Sequence, residues 1–490
     1  MENNEKNTST TNFQEENNHQ KINLTNSKLD SLKENNLNIK QEEPISIINQ
    51  LELKNNLFPI NRKIRYFIYI IELLILANLD QGSISVSTKE IKTSFKMSDR
   101  ELGSFGGISF LGTTIGGIIS LLIINKINRK YLILSFISLN IISLYIPTII
   151  SSKILLIICR IITGFAQSFM SIYISVWVDQ FGIYNKKSIM MSITSIPSGF
   201  GYLMGNIIAV FTSWKITFLI NVILFIIYFI CLLFLKDLYF LKNVTSRKMN
   251  ILQNTNNSIN KIDDDISLFE DAEFNNNNNG NDSIIKHAKI CFKSKLFCFS
   301  TMSLITLLLI SSGIQFWIND FLENSVHILD KKERLLYFII IILVTMFGSP
   351  IICGIIMQKL GGYHSYKCIF LPFYCCIISL IFTNLLFIFS YKVIMAILIG
   401  GYLFSGCIMI SSLNGIIISS IPKEYTGSAS SISNLLYNIL GRLVGPYFYG
   451  VLRSIFGNNS KLPMIILLNI KFITLLCLYK CFKYKKRDII

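Results

Sequence analysis

The chain has 490 residues, of which 51% are hydrophobic and only 15% are charged. A soluble protein of this length carries more charge on its surface, and the apolar residues here recur in runs of about 18–25, enough to cross a bilayer as a helix. Composition therefore excludes a soluble globular fold. The formal net charge is +17, but most cations flank apolar runs, as they do beside lipid headgroups, so we expect no nucleic-acid partner.

Apolar runs between polar breaks predict about twelve transmembrane helices, numbered here as spans 1 to 12. Spans 1 to 6 are predicted at residues 62–87, 102–124, 131–150, 154–178, 188–211 and 215–235. Spans 7 to 12 are predicted at residues 296–318, 335–357, 367–389, 393–419, 427–452 and 462–480. Two sets of six spans predict an all-α polytopic membrane protein with two pseudo-symmetric six-helix bundles, an arrangement known among secondary transporters.

Polar stretches divide the chain into five predicted parts. The start and the middle of the chain are rich in Asn and charged residues and have too few apolar residues to form a core, so we expect them to be disordered. The parts are a cytosolic tail at 1–56, a bundle at 57–236, a cytosolic linker at 237–295, a bundle at 296–482 and a basic tail at 483–490. Cations concentrate in the two tails and the linker, so both termini are expected in the cytosol.

The loop between spans 2 and 3 is mostly cationic or amide. Its polar residues are Asn125, Lys126, Asn128, Arg129 and Lys130. The loop after span 8 reads GIIMQKLGG and matches it when Lys359 is aligned on Lys126, which places Gly361 opposite Asn128. Asn tolerates the left-handed backbone nearly as well as Gly, so we expect both loops to make the same tight turn.

This loop resembles the motif Gly-x-x-x-Asp-Arg/Lys-x-Gly-Arg/Lys-Arg/Lys of the major facilitator superfamily. Lys126, Arg129 and Lys130 match its basic positions, whereas Asn125 replaces its acid. Span 4 adds the similar pattern RIITGFAQS, and span 5 adds the Pro- and Gly-rich segment IPSGFGYLMG. The resemblance implies the major facilitator fold, in which two bundles rock about a central site.

Within the superfamily, the sequence is most similar to the spinster-like branch. That branch has an Asp-Arg pair in span 1, a Glu in span 4 and an Asp in span 11, where this chain has Gln81, Gln167 and Arg442. The resemblance implies a lysophospholipid or sphingoid lipid as substrate. Gln cannot carry a titrating proton, so facilitated diffusion is favoured, with Asp80 as the remaining residue able to carry protons.

Few ionisable residues lie inside the predicted spans, where each costs roughly 2.5–3.5 kcal/mol on insertion scales and is therefore a functional candidate. Glu72 and Asp80 are eight residues apart on span 1, nearly on one helical face. Arg160 lies on span 4 and Arg442 on span 11, so Asp80 is expected to pair with one of them beside the central cavity. The alternatives are helix-end charges that reach the headgroups and, for Arg160, a purely structural tie between spans 1 and 4.

Five amide side chains are further candidates for contact with a substrate. They are Gln167, Gln315, Asn319, Asn414 and Asn438. Their distribution over both halves fits a solute held between the bundles, but buried amides also join helices to one another. Both roles remain open for each residue.

A second group of residues is a candidate gate at the cytosolic face. Asp179 ends span 4, and the resemblance implies that it lies near the loop after span 2. An Arg129–Asp179 bridge would then hold the halves together in the outward-facing state. The gate is predicted to include Asn125, Lys126, Arg129, Lys130, Asp179 and, as a weaker twin, Lys359.

Span 2 carries Gly103, Gly107, Gly112 and Gly116 at GxxxG spacing, which predicts close contact with a neighbouring helix, expected to be span 11.

Catalysis finds little support in the sequence. The histidines lie in tails or loops, and no HxxxD, GxSxG, CxxC or phosphate-binding glycine motif occurs. We expect no enzyme, no cofactor and no metal. The prediction is a monomeric carrier of an amphiphilic lipid, or of a small polar metabolite or organic ion. A multispan acyltransferase and a non-transporting sensor are the alternatives.

Overall fold

The computed structural model describes residues 60–123, 127–181, 190, 193–194, 196–235, 280–328, 330–363, 365–389, 391–422, 425–457 and 460–487. Its contacts divide the chain into two units, residues 1–68 and residues 69–490. The described part of the first unit is the beginning of one helix. Every contact reported below lies within the second unit.

All regular elements among the described residues are helices. The membrane helices are α1 Ile60–Val86, α2 Asp99–Ile123, α3 Arg129–Ile149, α4 Lys153–Phe181, α5 Ile196–Phe211, α6 Trp214–Phe234, α7 Lys295–Asn324, α8 Lys331–Lys359, α9 Phe370–Ile388, α10 Lys392–Ser419, α11 (Thr426–Leu436, Tyr437–Arg442 and Val444–Phe456) and α12 (Leu462–Asn469 and Lys471–Arg487). Ten of these described helices are long and apolar enough to cross a membrane, while α5 is shorter and α11 is interrupted. Two further helices, Thr88–Ser94 and Gly280–Lys293, precede α2 and α7.

Each predicted span of a given number corresponds to the helix of that number. Polar caps explain several of the starts: the Ser213 hydroxyl accepts from the backbone N–H of Ile216 at the start of α6, and Asp330 accepts from Lys332 at the start of α8. Such caps satisfy backbone donors that have no partner inside the helix. The predicted fold class, an all-α protein of membrane-spanning helices, is confirmed.

The helices pack in two sets that repeat with an offset of six. In the first set α2 packs on α4 and α3 packs on α6, and in the second set α8 packs on α10 and α9 packs on α12. Likewise α5 approaches α1, where a Cβ on Gly205 would lie 2.0 Å from the Leu79 carbonyl oxygen, as α11 packs on α7. Helices six positions apart in the chain therefore make equivalent contacts, as two pseudo-symmetric halves require.

Among the described residues, the contacts between the halves include the packing of α2 on α11 and of α5 on α8. The expected contact of α2 with α11 is confirmed for Gly103 and Gly107, since a Cβ on Gly107 would lie 2.1 Å from the Leu443 carbonyl oxygen. Gly112 and Gly116 lie instead against α4 within the first half. One glycine-rich helix therefore packs closely on both sides, within its bundle and between bundles.

The expected common turn of the two loops is wrong. Asn128 has φ −60° and ψ 123°, an extended backbone, and its side chain caps α3 by accepting from the N–H of Lys130 at 3.0 Å. Gly361 has φ +88° and Gly362 has φ +75°. Asn at an extended N-cap position gains a hydrogen bond that the left-handed conformation would not provide, so the two sequences end and restart their helices differently.

Candidate functional site

A cavity of about 630 Å³ lies between the two halves. Its walls come from α1, α2 and α4, with α5, in the first half and from α7, α8, α10 and α11 in the second. The four helices of each half are equivalent under the offset of six. The cavity is therefore built at the contact between the repeats, where transporters with internal repeats hold their solutes.

The cavity combines apolar walls with uncharged polar groups. Amides are supplied by Asn78, Gln81, Gln167 and Gln315, and hydroxyls by Ser and Thr residues of α2, α4, α5, α7 and α8. Apolar contacts come from Leu74, Phe110, Ile174, Phe338, Ile342, Met346 and Leu403. Among the described lining residues the one formal charge is on Arg442. Such a mixed surface suits an organic solute that presents both polar and apolar parts.

Asp80 and Arg160 form a buried ion pair between α1 and α4. Asp80 has no exposed surface, and its second carboxylate oxygen accepts from Gln167 Nε2 at 2.9 Å. Of the two partners considered for Asp80, the structure has Arg160. The pair lies behind the cavity wall, and Gln167 links it to the lining.

The remaining residues predicted for the substrate site lie in different environments. Gln315 and Arg442 line the cavity, as Gln167 does. Asn438 is buried on α11, where it donates to Asn434 Oδ1 at 2.8 Å, and Asn414 is exposed on α10. Glu72 is also exposed, and it accepts a hydrogen bond from the Tyr228 hydroxyl of α6.

Glu72 and Asp80 do not share a helical face. Eight residues at about 100° per residue leave the two side chains about 80° apart around the helix. Asp80 is consequently buried against α4, while Glu72 lies on the exposed side of α1 beside α6. The structure thus separates a residue pair that the sequence grouped together.

A hydrogen-bond network closes the cavity toward the face that carries the α1–α2 connection, called the 1–2 face below. The Tyr202 hydroxyl of α5 lies 2.7 Å from the Gln315 carbonyl oxygen of α7 and 2.9 Å from Ser85 Oγ of α1. Asn319 of α7 donates to Ser85 Oγ and to Asn206 Oδ1 of α5, each at 3.3 Å. Asn319 therefore contacts the other half rather than the cavity.

Ion pairs continue this closure across the halves at the 1–2 face. Lys89 pairs with Glu323 at 2.8 Å, and Lys331 pairs with Glu90 at 3.0 Å. Deeper in the same region, Nη1 of Arg453 on α11 lies 2.7 Å from Asp320 Oδ2 and 3.7 Å from Asp99 Oδ1. Bonds of this kind can break and re-form without covalent change, as a gate requires.

Sequence reasoning missed several buried ionisable residues, among them Asp320, Arg453 and Lys471. Asp320 and Arg453 lie just past the predicted ends of spans 7 and 11, whereas the helices run to Asn324 and Phe456 and so bury them. Lys471 lies inside span 12 and is buried, with Nζ 3.5 Å from the centre of the Tyr402 ring. A lysine within an apolar run was the available signal for it.

The predicted gating residues are only partly described. Asn125 and Lys126 lie outside the described residues, and the side chain of Asp179 is not among those described. Arg129 is buried at the start of α3. Lys130 Nζ donates to the last carbonyls of α6, at 3.2 Å from Leu233 O and 2.6 Å from Leu235 O. Lys359 is exposed at the end of α8.

Comparison with known proteins agrees with this architecture. The sequence profile of the Major Facilitator Superfamily matches residues 73–446, while no curated protein sequence matches the chain.

Solved transporter structures are similar in fold. The inward-facing, unoccupied crystal structure of a bacterial homologue of the human lysosomal transporter Spinster has a TM-score of 0.67 at 12% identity, over 87% of this chain and 98% of that one. A D-xylose–proton symporter has a TM-score of 0.64 at 13% identity, over 86% and 97%. The nucleoside transporter NupG has a TM-score of 0.60 at 12% identity, over 85% and 99%. With the profile covering most of both halves, the chain belongs to the major facilitator superfamily.

Proposed function

We propose that this protein is a secondary carrier that works by alternating access and moves an amphiphilic organic solute such as a lysophospholipid. The observation that carries the proposal is the cavity between the halves, whose walls combine apolar side chains with neutral amides and hydroxyls. Its volume of about 630 Å³ lies within the range of sites that hold small organic molecules. The resemblance to the spinster-like branch supports a lipid as the solute.

Transport would require the contacts at the 1–2 face to open while the halves close at the opposite face. The hydrogen bonds of Tyr202 and Asn319 and the ion pairs of Lys89 and Lys331 all cross between halves, so rocking would break them together. The glycine contacts of α2 with α11 bring two backbones close enough to act as the pivot. With both termini in the cytosol, the 1–2 face would be the outer face.

The Asp80–Arg160 pair is proposed to connect the cavity with the packing of α1 on α4. A solute that competes for the Gln167 amide would remove one of the hydrogen bonds to Asp80. Asp80 would also be the site of any proton coupling. Without such coupling the protein would be a facilitator. An Arg129–Asp179 latch at the opposite face remains part of this proposal.

A second candidate is a facilitator for a small polar metabolite. The amides of Asn78, Gln81, Gln167 and Gln315 favour it, since polar solutes need several hydrogen-bonding partners in place of water. A sensor that binds the solute without moving it is the third candidate. Flux across a membrane separates the sensor from both carriers.

The test is uptake of labelled lysophosphatidylcholine into liposomes that hold the purified protein, with and without an inward proton gradient. We expect uptake that exceeds that of protein-free liposomes. Dependence on the gradient, lost in Asp80→Asn, would establish coupling through Asp80, and uptake without such dependence would establish a facilitator. No uptake by protein that elutes as a single folded species would overturn the lipid proposal, and a screen of polar solutes would then test the second candidate.

A further inference from the structure

The charge of Arg442 differs in its surroundings from that of other arginines in the bundles. Three others face carboxylates: Arg160 with Asp80, Arg453 with Asp320, and Arg334 with Glu323 at 3.4 Å. Arg442 makes no ion pair with any carboxylate of the described residues. Its guanidinium is half-buried and lines the cavity, where it is the one charged group among the described lining residues.

Aromatic rings hold the Arg442 guanidinium in place. Its Cζ lies 5.7 Å from the centre of the Phe110 ring of α2 and 5.3 Å from that of the Tyr437 ring. One nitrogen lies 3.5 Å from Asn438 Oδ1, at the limit for a hydrogen bond. Ring faces orient a guanidinium without neutralising it, so most of its N–H donors stay available to a ligand.

The backbone at Arg442 is also unusual. Residues Tyr437–Arg442 form a π-helical turn inside α11, and such turns are frequent at functional sites because they redirect a side chain from the regular helical position. The turn follows the segment Thr426–Leu436 and precedes Val444–Phe456, which packs on α2. Arg442 is thereby placed where the two halves meet.

We propose that Arg442 is the anion-binding group of the cavity and that the transported solute carries a phosphate or a carboxylate. This inference rests on the proposed function and narrows it. A half-buried cation without a carboxylate partner is stabilised when a bound anion completes its hydrogen bonds, and the guanidinium fork matches the oxygens of both groups. A sphingoid base, which is a cation, is thereby disfavoured against a lysolipid with an anionic headgroup.

The contacts of Arg442 with Phe110 and Tyr437 connect anion binding with movement of the halves. Phe110 belongs to the first half, and Arg442 and Tyr437 belong to the second. An anion that draws the guanidinium toward itself weakens its contact with Phe110 across the halves. Binding would then favour the rocking that carries the solute.

The test compares four probes against the purified protein, with binding followed by thermal stabilisation and by competition with a labelled lysolipid. The probes are lysophosphatidic acid, lysophosphatidylcholine and sphingosine with matched chains, and glycerol 3-phosphate, which has the anion without a chain. The variants are Arg442→Gln, which removes the charge, and Arg442→Lys, which keeps the charge but loses the fork. Arg65→Gln is the matched control, because Arg65 is exposed near the start of α1.

We expect lysophosphatidic acid to bind the unchanged protein best and to lose about tenfold or more in affinity in Arg442→Gln, as the loss of a charge-assisted hydrogen bond implies. Arg442→Lys should lose less, sphingosine should bind weakly, and Arg65→Gln should bind as the unchanged protein does. Binding of glycerol 3-phosphate that depends on Arg442, without binding of lysophosphatidic acid, would support the anion site and identify its solute as a small organic phosphate.

Equal affinity for lysophosphatidic acid in Arg442→Gln and the unchanged protein would overturn this inference. So would a preference of the unchanged protein for sphingosine, the one probe that has no anionic group. Uptake measured in the same preparations separates the two proposals. If lipid is transported but Arg442→Gln changes neither binding nor uptake, only the anion site fails. If the folded, unchanged protein binds and transports none of the probes, the proposed function fails.

Discussion

Two buried charged sites, one in each half, have contrasting surroundings. In the first half, Asp80 and Arg160 satisfy each other between α1 and α4, and Gln167 supplies a further hydrogen bond. In the second half, Lys471 of α12 is equally buried, but its Nζ has no hydrogen-bond partner among the described residues and lies over the Tyr402 ring. The second half also contains the compensated pair of Arg453 with Asp320, so the contrast is between these two sites and not between whole halves.

The difference shows that pseudo-symmetry of helices does not extend to their polar groups. The neighbours of Lys471 are the thiols of Cys376 on α9 and Cys407 on α10 and the phenol of Tyr402, none of which is a carboxylate. A paired charge holds two helices in one arrangement, whereas an unpaired one destabilises its arrangement. The contact of α1 with α4 is therefore expected to be more rigid than the packing around Lys471.

The largest expected effect comes from breaking the pair of the first half. Asp80→Asn leaves the Arg160 guanidinium buried without its counter-charge, which lowers the free energy of unfolding by about 3–5 kcal/mol. Thermal unfolding of the purified protein measures the change. In the double variant Asp80→Asn with Arg160→Met, much of the loss should return, because no uncompensated charge remains. Equal loss in the single and double variants would contradict the role given to the pair.

Removal of the Lys471 charge should act in the opposite direction. Lys471→Met keeps the length of the side chain but removes a buried ammonium that lacks a hydrogen bond, so the free energy of unfolding should rise by about 1–3 kcal/mol. A higher midpoint of thermal unfolding checks this. A lower midpoint would mean that Lys471 makes a stabilising interaction beyond its contact with Tyr402.

The contribution of the aromatic ring can be measured separately. Tyr402→Leu removes the ring face under Lys471 Nζ and should cost about 0.5–2 kcal/mol, whereas Tyr402→Phe keeps the ring and should be close to neutral. In a Lys471→Met background, the Tyr402→Leu cost should shrink, since no cation remains to be stabilised. The coupling energy from this double-mutant cycle measures the interaction between the two side chains. A value near zero would show that the cation–π contact does not contribute to stability.

The smallest effect is expected at the exposed ion pairs of the 1–2 face. Lys331 pairs with Glu90 at 3.0 Å, and both side chains are more than a third exposed. Lys331→Gln should change the free energy of unfolding by less than about 1 kcal/mol, because solvent screens such pairs. An effect as large as that of Asp80→Asn would show that burial does not determine how much each of these ion pairs contributes to stability.

The sequence predicted part of the candidate site and missed part of it for identifiable reasons. Asp80 and Arg442 were found because an ionisable residue inside an apolar run is a strong signal. Asp320 and Arg453 were missed because hydropathy places the end of a span several residues too early when the last turn is polar. Glu72 was grouped with Asp80 because a spacing of eight residues approximates a full number of helical turns without equalling it.

Sequence by itself determined the class of protein, the number and order of the membrane helices and the duplication of the halves. These follow from the length and spacing of apolar runs, which the bilayer fixes without reference to neighbouring helices. Only the tertiary structure decided that Asp80 pairs with Arg160 and that Arg442 faces the cavity in contact with two aromatic rings. It also decided that Lys471 has no carboxylate opposite it among the described residues. Partners of this kind come from helices distant in the chain, and their choice depends on the rotation of each helix about its own axis, which apolar periodicity constrains only loosely.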